Sequence, residues 1–305
     1  MRRVLPCLLL SLVIPGCVIP RIISRNFAAG APKRLEHRID NPVRRDARLA
    51  VLWVGHATVL IQMDDRFILT DPVFTDSVGG LSPRLVEPGL DAAKLPEHVV
   101  VAISHAHYDH LSFDSLDSIE GKVDVLLLPP QAKRIIPHYR FETRELERWH
   151  SYQTGGLRVT AVPVKHVGGR WGMDAAWNNR SYAGYVFQYH GLAVYFGGDS
   201  AFSAVDFDAT RERFPTLDLA LLPICPAEPR DFMRHTHMDP AEALDAFEIL
   251  RARRMVPIHF DTFINGDDRP GDCSLRLLSE MARRGIEANT VDILRIGEQR
   301  VLIGK

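Results

Sequence analysis

The sequence predicts an α/β fold in which two β-sheets pack face to face with helices on their outer sides. Three features of the chain carry that expectation. Strands come first in runs, helices interleave afterwards, and each half of the chain supplies both. A chain of 305 residues is long enough to bury one large core or two modest ones.

The elements follow in order. From Leu49 the chain turns β-rich: "LAVLWVGHATVLIQM" and "RFILTDPVF" are apolar, β-branched runs separated by "DDR", the pattern of a hairpin. "HVVVAISHAH" reads as a continuous buried strand, and "VDVLLLPP" as another, followed by a helix from Gln131 to Tyr139. Next come "LRVTAVPVKH", then "YAGYVFQYHGLAVYFGGD" with a turn at His190-Gly191, then "LDLALLPI". Helices are expected over "SFDSLDSIE", "DATRERF", "DPAEALDAFEILRARR" and "SLRLLSEMARRG". In the third, Asp239 suits the cap and Pro240 the first turn. Ala243, Phe247 and Leu250 share one of its faces, with Leu244 alongside.

The N-terminus is built differently. "MRRVLPCLLLSLVIPGC" has two arginines, a short apolar run from Val4 to Ile14, and Gly16 before Cys17. That is a secretory signal in outline, with an apolar run too short to span a bilayer. It resembles a bacterial lipoprotein signal that would acylate Cys17, although Pro15 departs from the usual small residue. The alternatives are a plain signal peptide or an uncleaved anchor. Val18 stands where an inner-membrane retention signal often places Asp, so the expected address is the outer membrane, facing the periplasm. The chain thus divides into a signal at 1–17, a tether or arm at 18–47 lacking apolar periodicity, and a folded domain at 48–305.

Composition narrows the partners. The chain is 46% hydrophobic and 25% charged with a formal net charge of -1, so no basic excess argues for nucleic acid. Cys7, Cys17, Cys225 and Cys273 lack the paired spacings of a zinc knuckle or a redox CxxC. Cys225 and Cys273 read most simply as two buried free thiols, with a disulfide between them as the alternative. His98, His138, His150 and His190 stand alone and read as ordinary core histidines.

Histidine is otherwise concentrated in "SHAHYDHLS", residues 104 to 112. Side chains two apart in an extended segment point the same way, so His105 and His107 present two imidazoles together as their strand runs out. Asp109 and His110 follow in the turn before the next helix. Imidazole and carboxylate are the donors that a zinc-like ion prefers, about four per ion. The spacing here suits two neighbouring ions better than one. Further donors stand at distant strand ends: His166 in "PVKH", Asp199 in "FGGDS" and His259 in "VPIHF". An HxHxDH arises by chance in such a chain on the order of once in a thousand.

HxHxDH followed by isolated His, Asp and His resembles the metallo-β-lactamase superfamily, over everything from about residue 48 onward. The resemblance implies a four-layer αββα sandwich of two mixed β-sheets with a two-metal site at one edge. It would place His105, His107 and His166 on one metal and Asp109, His110 and His259 on the second. Asp199 would bridge them, with Asp71 of "LTDP" supporting the site from behind. His56 in "GHAT" matches no required ligand and reads as a turn or packing residue. The expected cofactors are two divalent ions, zinc first, although iron or manganese suits the same donors.

Two such ions share a hydroxide and polarise the bond under attack, so no serine or cysteine nucleophile is needed. "GGDSAF" lacks the GxSxG frame in any case. The flanking "WVGHATVLIQMDDRFILTDPVF", "PVKHVGGRW", "FGGDSAF", "HTHMDPAEA" and "IHFDTF" resemble the branch containing N-acyl-phosphatidylethanolamine-hydrolysing phospholipase D. That implies a metal-dependent phosphodiesterase acting on a phospholipid or smaller substrate, with catalytic roles for Asp109 and for His237 as a contact to substrate or leaving group. Trp171 and Trp177 would line the mouth or pack beneath their loop. Alternatives are a sugar-phosphate lactonase, a transfer-RNA-processing nuclease that the N-terminus contradicts, and a lipoprotein that binds metal or ligand without turnover.

Overall fold

The computed structural model describes residues 18–36, 38–170 and 181–305. The expectations for the signal segment with Cys17, and for Trp171 and Trp177, lie outside the described residues. In the first half, helix α1 (Val18–Ala28) precedes β1 (Ala47–Gly55), β2 (Thr58–Met63) and β3 (Arg66–Thr70). A ribbon of β4 (Ser77–Val78) and β5 (Ser82–Pro83) leads to β6 (Val99–Ala102), α2 (Phe113–Ile119), β7 (Val123–Leu128) and β8 (Glu142–Glu145). The second half opens with β9 (Ser151–Thr154), β10 (Leu157–Val162), β11 (Gly184–Tyr189), β12 (Leu192–Phe196) and α3 (Ala204–Arg213). It continues through β13 (Leu219–Pro223), the single turn α4 (Arg230–Met233), α5 (Pro240–Leu250), β14 (Met255–Ile258), α6 (Asp272–Arg284) and β15 (Gln299–Gly304).

These strands make a seven-stranded sheet, β15-β1-β2-β3-β6-β7-β8, and a six-stranded sheet, β14-β13-β12-β11-β10-β9. Both are mixed: antiparallel where hairpins join neighbours, parallel along β3-β6-β7-β8 and β12-β13-β14 where the chain crosses over. Alternation along β1 sorts its side chains by face. Leu49, Val51 and Trp53 join one buried cluster with Tyr185, Phe187 and Tyr195 of the other sheet. Leu52 and Val54 point the opposite way and pack with Leu116 and Ile119 of α2. Phe207 of α3, Leu244 and Phe247 of α5, and Leu277 and Met281 of α6 cover the six-stranded sheet. The result is the four-layer αββα sandwich of the metallo-β-lactamase fold. Each fully buried side chain of this kind contributes about 1.5–3 kcal/mol, so the strand cores hold the loops that carry the chemistry.

Several local expectations need correction. The first apolar run is two strands, because the backbone turns at His56, whose φ is 55°. The hairpin at Asp64-Asp65 is present as expected. The helix from Gln131 to Tyr139 is only a 3₁₀ turn at Ala132–Arg134. Gln131 sits in the left-handed region, and Pro137 disfavours helix at Ile136. Asp239 caps α5 and Pro240 opens it, but the helix stops at Leu250 because Arg251 turns left-handed.

The arm at 18–47 contains a helix, α1, whose polar residues face the domain. Arg25 donates to the carbonyls of Gly266 and Asp268, and Asn26 to that of Ile264. His98, His138, His150 and His190 are exposed rather than core residues. His98 and His190 occupy left-handed positions, next to β6 and in the β11–β12 turn respectively, where the backbone lies at the surface. Cys225 and Cys273 are joined as a disulfide across 48 residues, not left as free thiols. Closing a loop of that length contributes up to about 4 kcal/mol in the chain-entropy picture.

Candidate metal centre

The site is assembled from the ends of strands of both sheets along one edge of the sandwich. The seven-stranded sheet contributes Asp71 after β3 and the "HAHYDH" turn after β6. The six-stranded sheet contributes His166 after β10, Asp199 after β12 and His259 after β14. His237 lies on the connection between β13 and α5. The two sides meet closely at Gly198, where a Cβ would collide with the side chain of Ser104. Backbone bonds fix the approach: Ala183 N–H donates to Ser104 O at 2.8 Å and His259 N–H to His56 O at 3.0 Å, while Ala201 N–H to Lys165 O at 2.7 Å ties the loops of the six-stranded side to each other. Asp71, His56 and His259 all hold positive φ, of 36°, 55° and 66°. Such backbone is costly for non-glycine residues and clusters at functional sites.

Asp199 stands at the centre, almost fully buried. Its Oδ2 lies 3.9 Å from His105 Nε2, 3.8 Å from His166 Nε2 and 3.2 Å from His110 Nε2. Its Oδ1 lies 3.0 Å from His259 Nε2. On one side, donor atoms of His105, His107 and His166 lie within 4.8 Å of one another. On the other, the same holds for Asp109, His110, His259 and, unexpectedly, His56. His105 Nε2 and His107 Nδ1 are 2.8 Å apart.

Atoms behind the imidazoles fix which nitrogen faces inward. His166 Nδ1 donates to Thr236 O at 2.9 Å, leaving Nε2 for the site. His110 Nδ1 donates to Asp71 Oδ2 at 2.6 Å. Ser104 Oγ donates to the same carboxylate oxygen at 2.6 Å, so it receives the proton of His105 Nδ1 at 2.9 Å. Asp71 therefore governs two of the inward-facing histidines from behind.

Burial is the largest single influence on His105, His110, His166, Asp109 and Asp199. It pushes His105 well below the usual imidazole range, helped by His110 and His107. It does the same to His166 despite the opposing charge of Asp199. Both rings are thus neutral, the form that binds metal. Burial alone would raise Asp199 and Asp109, but the charge of His110, joined by His259 at Asp199 and by His56 at Asp109, holds both carboxyls well below their normal range. Burial would likewise lower His110, yet Asp199, Asp109 and Asp71 together hold it well above. Three carboxylates, those of Asp71 and Asp199 buried and that of Asp109 partly so, demand positive charge among them.

The residues fit a divalent ion on this structure's own evidence. His110 Nε2, His166 Nε2, His259 Nε2, Asp199 Oδ1 and His237 Nδ1 are buried without a hydrogen-bond partner, and four belong to the predicted donors. Each such atom costs about 1–3 kcal/mol unless something satisfies it. Nitrogen and oxygen donors in this density suit cations of the zinc class.

Two neighbours escaped the sequence reading. His56 Nε2 is 3.1 Å from Asp109 Oδ2, and Asn265 Nδ2 is 3.0 Å from the same oxygen. "GHAT" drew notice to His56 without a partner, and nothing in "INGDD" singles out Asn265. His237, expected near the site, lies 3.7 Å from Asp199 Oδ2 through Nδ1 and keeps 16% of its side chain exposed.

Comparison with known proteins bears on the family and the fold. A family model described as a beta-lactamase superfamily domain matches residues 66–260, more than half of the chain. The chain is 29% identical over 249 residues to N-acyl-phosphatidylethanolamine-hydrolyzing phospholipase D 1 of Caenorhabditis elegans, an alignment covering 72% of this chain and 66% of that one. It thus spans about two thirds of the worm protein's length. It is 27% identical over 217 residues to a metal-dependent hydrolase of Thermococcus onnurineus, covering 70% and 85% of the two chains. Among solved structures, a metallo hydrolase of Ignicoccus hospitalis superposes with a TM-score of 0.61 at 20% identity, over 83% of this chain and 97% of that one, which supports the fold. The chain belongs to the metallo-β-lactamase superfamily, as a metal-dependent hydrolase.

Proposed function

We propose that the protein is a dinuclear phosphodiesterase of the N-acyl-phosphatidylethanolamine phospholipase D type. The observation that carries the reading is the position of Asp199, whose two oxygens face both donor groups at once. His105, His107 and His166 would hold one ion, Asp109, His110 and His259 the other, and Asp199 both. Two divalent ions so held, zinc being the first expectation, supply an activated water and offset charge on the oxygens of the diester.

The chain's own groups do the rest. Asp199 and Asp109, both ionised, would orient the reacting centre. His237 stands at the rim, where burial pushes its pKa down to about 4, so at neutral pH it acts as a hydrogen-bonding imidazole and not as a cation. Its unpartnered Nδ1 is placed to meet a phosphoryl or leaving-group oxygen. The phospholipid class is favoured by the worm relative.

An address in the bacterial envelope, with Cys17 acylated, agrees with the disulfide, which persists in oxidising compartments. α1, immediately after the anchor, turns Ile23 and Phe27 outward. Among the described residues no helix is long and apolar enough to cross a membrane.

The test is metal analysis followed by a panel of p-nitrophenyl phosphodiesters, N-acylated phosphatidylethanolamine in vesicles, lactones, thioesters and cephalosporins. Two ions per chain and diester turnover are expected. Lactone turnover without diesterase activity would overturn the substrate class. His107→Ala should lose bound metal and nearly all turnover while its circular dichroism stays that of a folded chain. Undiminished turnover in that variant would reject the site.

A further inference from the structure

The two oxygens of the Asp109 carboxylate are not equivalent. Oδ2 receives both His56 Nε2 at 3.1 Å and Asn265 Nδ2 at 3.0 Å. We propose that His56 and Asn265 are positioning residues that pin Asp109 through Oδ2, the oxygen 4.0 Å from His110 Nε2, and so hold its carboxylate turned toward the second ion, an inference that rests on the two-ion reading. Neither side chain needs to touch the substrate or an ion to do this.

His56 is built to stay where it is. Its side chain is 2% exposed. Its ring lies 3.8 Å from that of His259, with Phe263 edge-on at 5.1 Å. Its backbone N–H donates to Thr262 Oγ1 at 2.6 Å, and its carbonyl accepts from Trp53 Nε1 at 2.9 Å and from His259 N–H at 3.0 Å. An ionised carboxylate oxygen only accepts, so Nε2 carries the proton in this contact. That protonated nitrogen is the reason to read His56 as a support and not as a fourth ligand, although it stands among His110, His259 and Asp109. Asn265 approaches from the loop after β14 and is the second donor to the same atom. Two donors on one oxygen fix the rotation of the carboxylate.

Two substitutions separate reach from backbone fit. Asn tolerates the left-handed conformation of residue 56, but its amide is too short to meet Asp109, whereas the Gln amide reaches further. His56→Asn should lower the affinity for one of the two ions, read by chelator competition, and kcat by about 10–100-fold each, with KM little changed. His56→Gln should recover most of both losses, and Asn265→Ala should show a smaller loss of the same kind. A His56→Asn protein that matches wild type in ion affinity and kcat overturns the proposal. So does a His56→Gln protein that lacks one ion outright, since the imidazole would then be a ligand. Should His56→Asn fail to fold, Asn265→Ala reads the same oxygen from a half-buried loop. Wild-type protein that holds one ion would sink the two-ion reading instead, and the kcat values of the Asn and Gln variants then decide the pin on their own.

Discussion

Asp71 shows how much of the centre depends on a residue that faces away from it. Its Oδ1 accepts Ser104 N–H at 2.7 Å, while Oδ2 accepts His110 Nδ1 and Ser104 Oγ, each at 2.6 Å. Through Ser104 Oγ it also orders His105. Asp71→Asn keeps the shape but sets an N–H where an acceptor is needed, so His110 loses its orientation. Metal affinity and kcat should each fall by about 10–100-fold, measured by equilibrium dialysis against zinc and by steady-state rates. Wild-type affinity in that variant would refute the role. At this scale the sequence was most readable where ligands are contiguous, as in "HAHYDH". Asp71 came through resemblance. His56 and Asn265 did not come through at all as partners of Asp109, because 53 and 156 residues of folded chain create those contacts.

Elements were legible in proportion to how uniformly they are buried. β6, β10, β12 and β13 are almost wholly buried and read as plain apolar runs. β8, β9 and β15 are sheet edges with no fully buried position, which weakens the apolar signal that marks a strand. α1 was missed for a different reason: it docks by Arg25 and Asn26 rather than by an apolar stripe. The carbonyls it holds, of Ile264, Gly266 and Asp268, flank Asn265, so the arm is expected to steady a loop of the site. Replacing Arg25 and Asn26 together by Ala removes, among others, the three hydrogen bonds to that loop, worth about 1 kcal/mol each. Amide exchange across residues 262–268 should then accelerate by roughly 10-fold or more, with kcat falling several-fold and bound metal retained. Unchanged exchange would mean the arm merely rests on the domain.

Across the whole molecule, the centre is a clasp between the two sheets. His105, His107, Asp109 and His110 hang from the seven-stranded sheet, and His166, Asp199 and His259 from the six-stranded one. The unfolded chain cannot gather these seven groups, so ions bound to the native state add directly to its stability. With free ion at about 1,000 times Kd the gain is about 4 kcal/mol. At about 2–4 °C per kcal/mol for a domain of this size, each ion removed by chelation should lower Tm by about 8–16 °C. Protons compete for the same nitrogens, so acid should mimic the chelator. Because burial holds His105 and His166 well below the usual imidazole pKa, release on acidification should begin below about pH 6.5, and the sign is fixed: metal is kept as pH rises and lost as it falls. His107→Ala should start from the lower Tm and respond weakly to either treatment. Scanning calorimetry of both proteins with and without chelator decides it. Equal responses would show that the ions sit elsewhere and that the sheets are held together by their apolar cores alone.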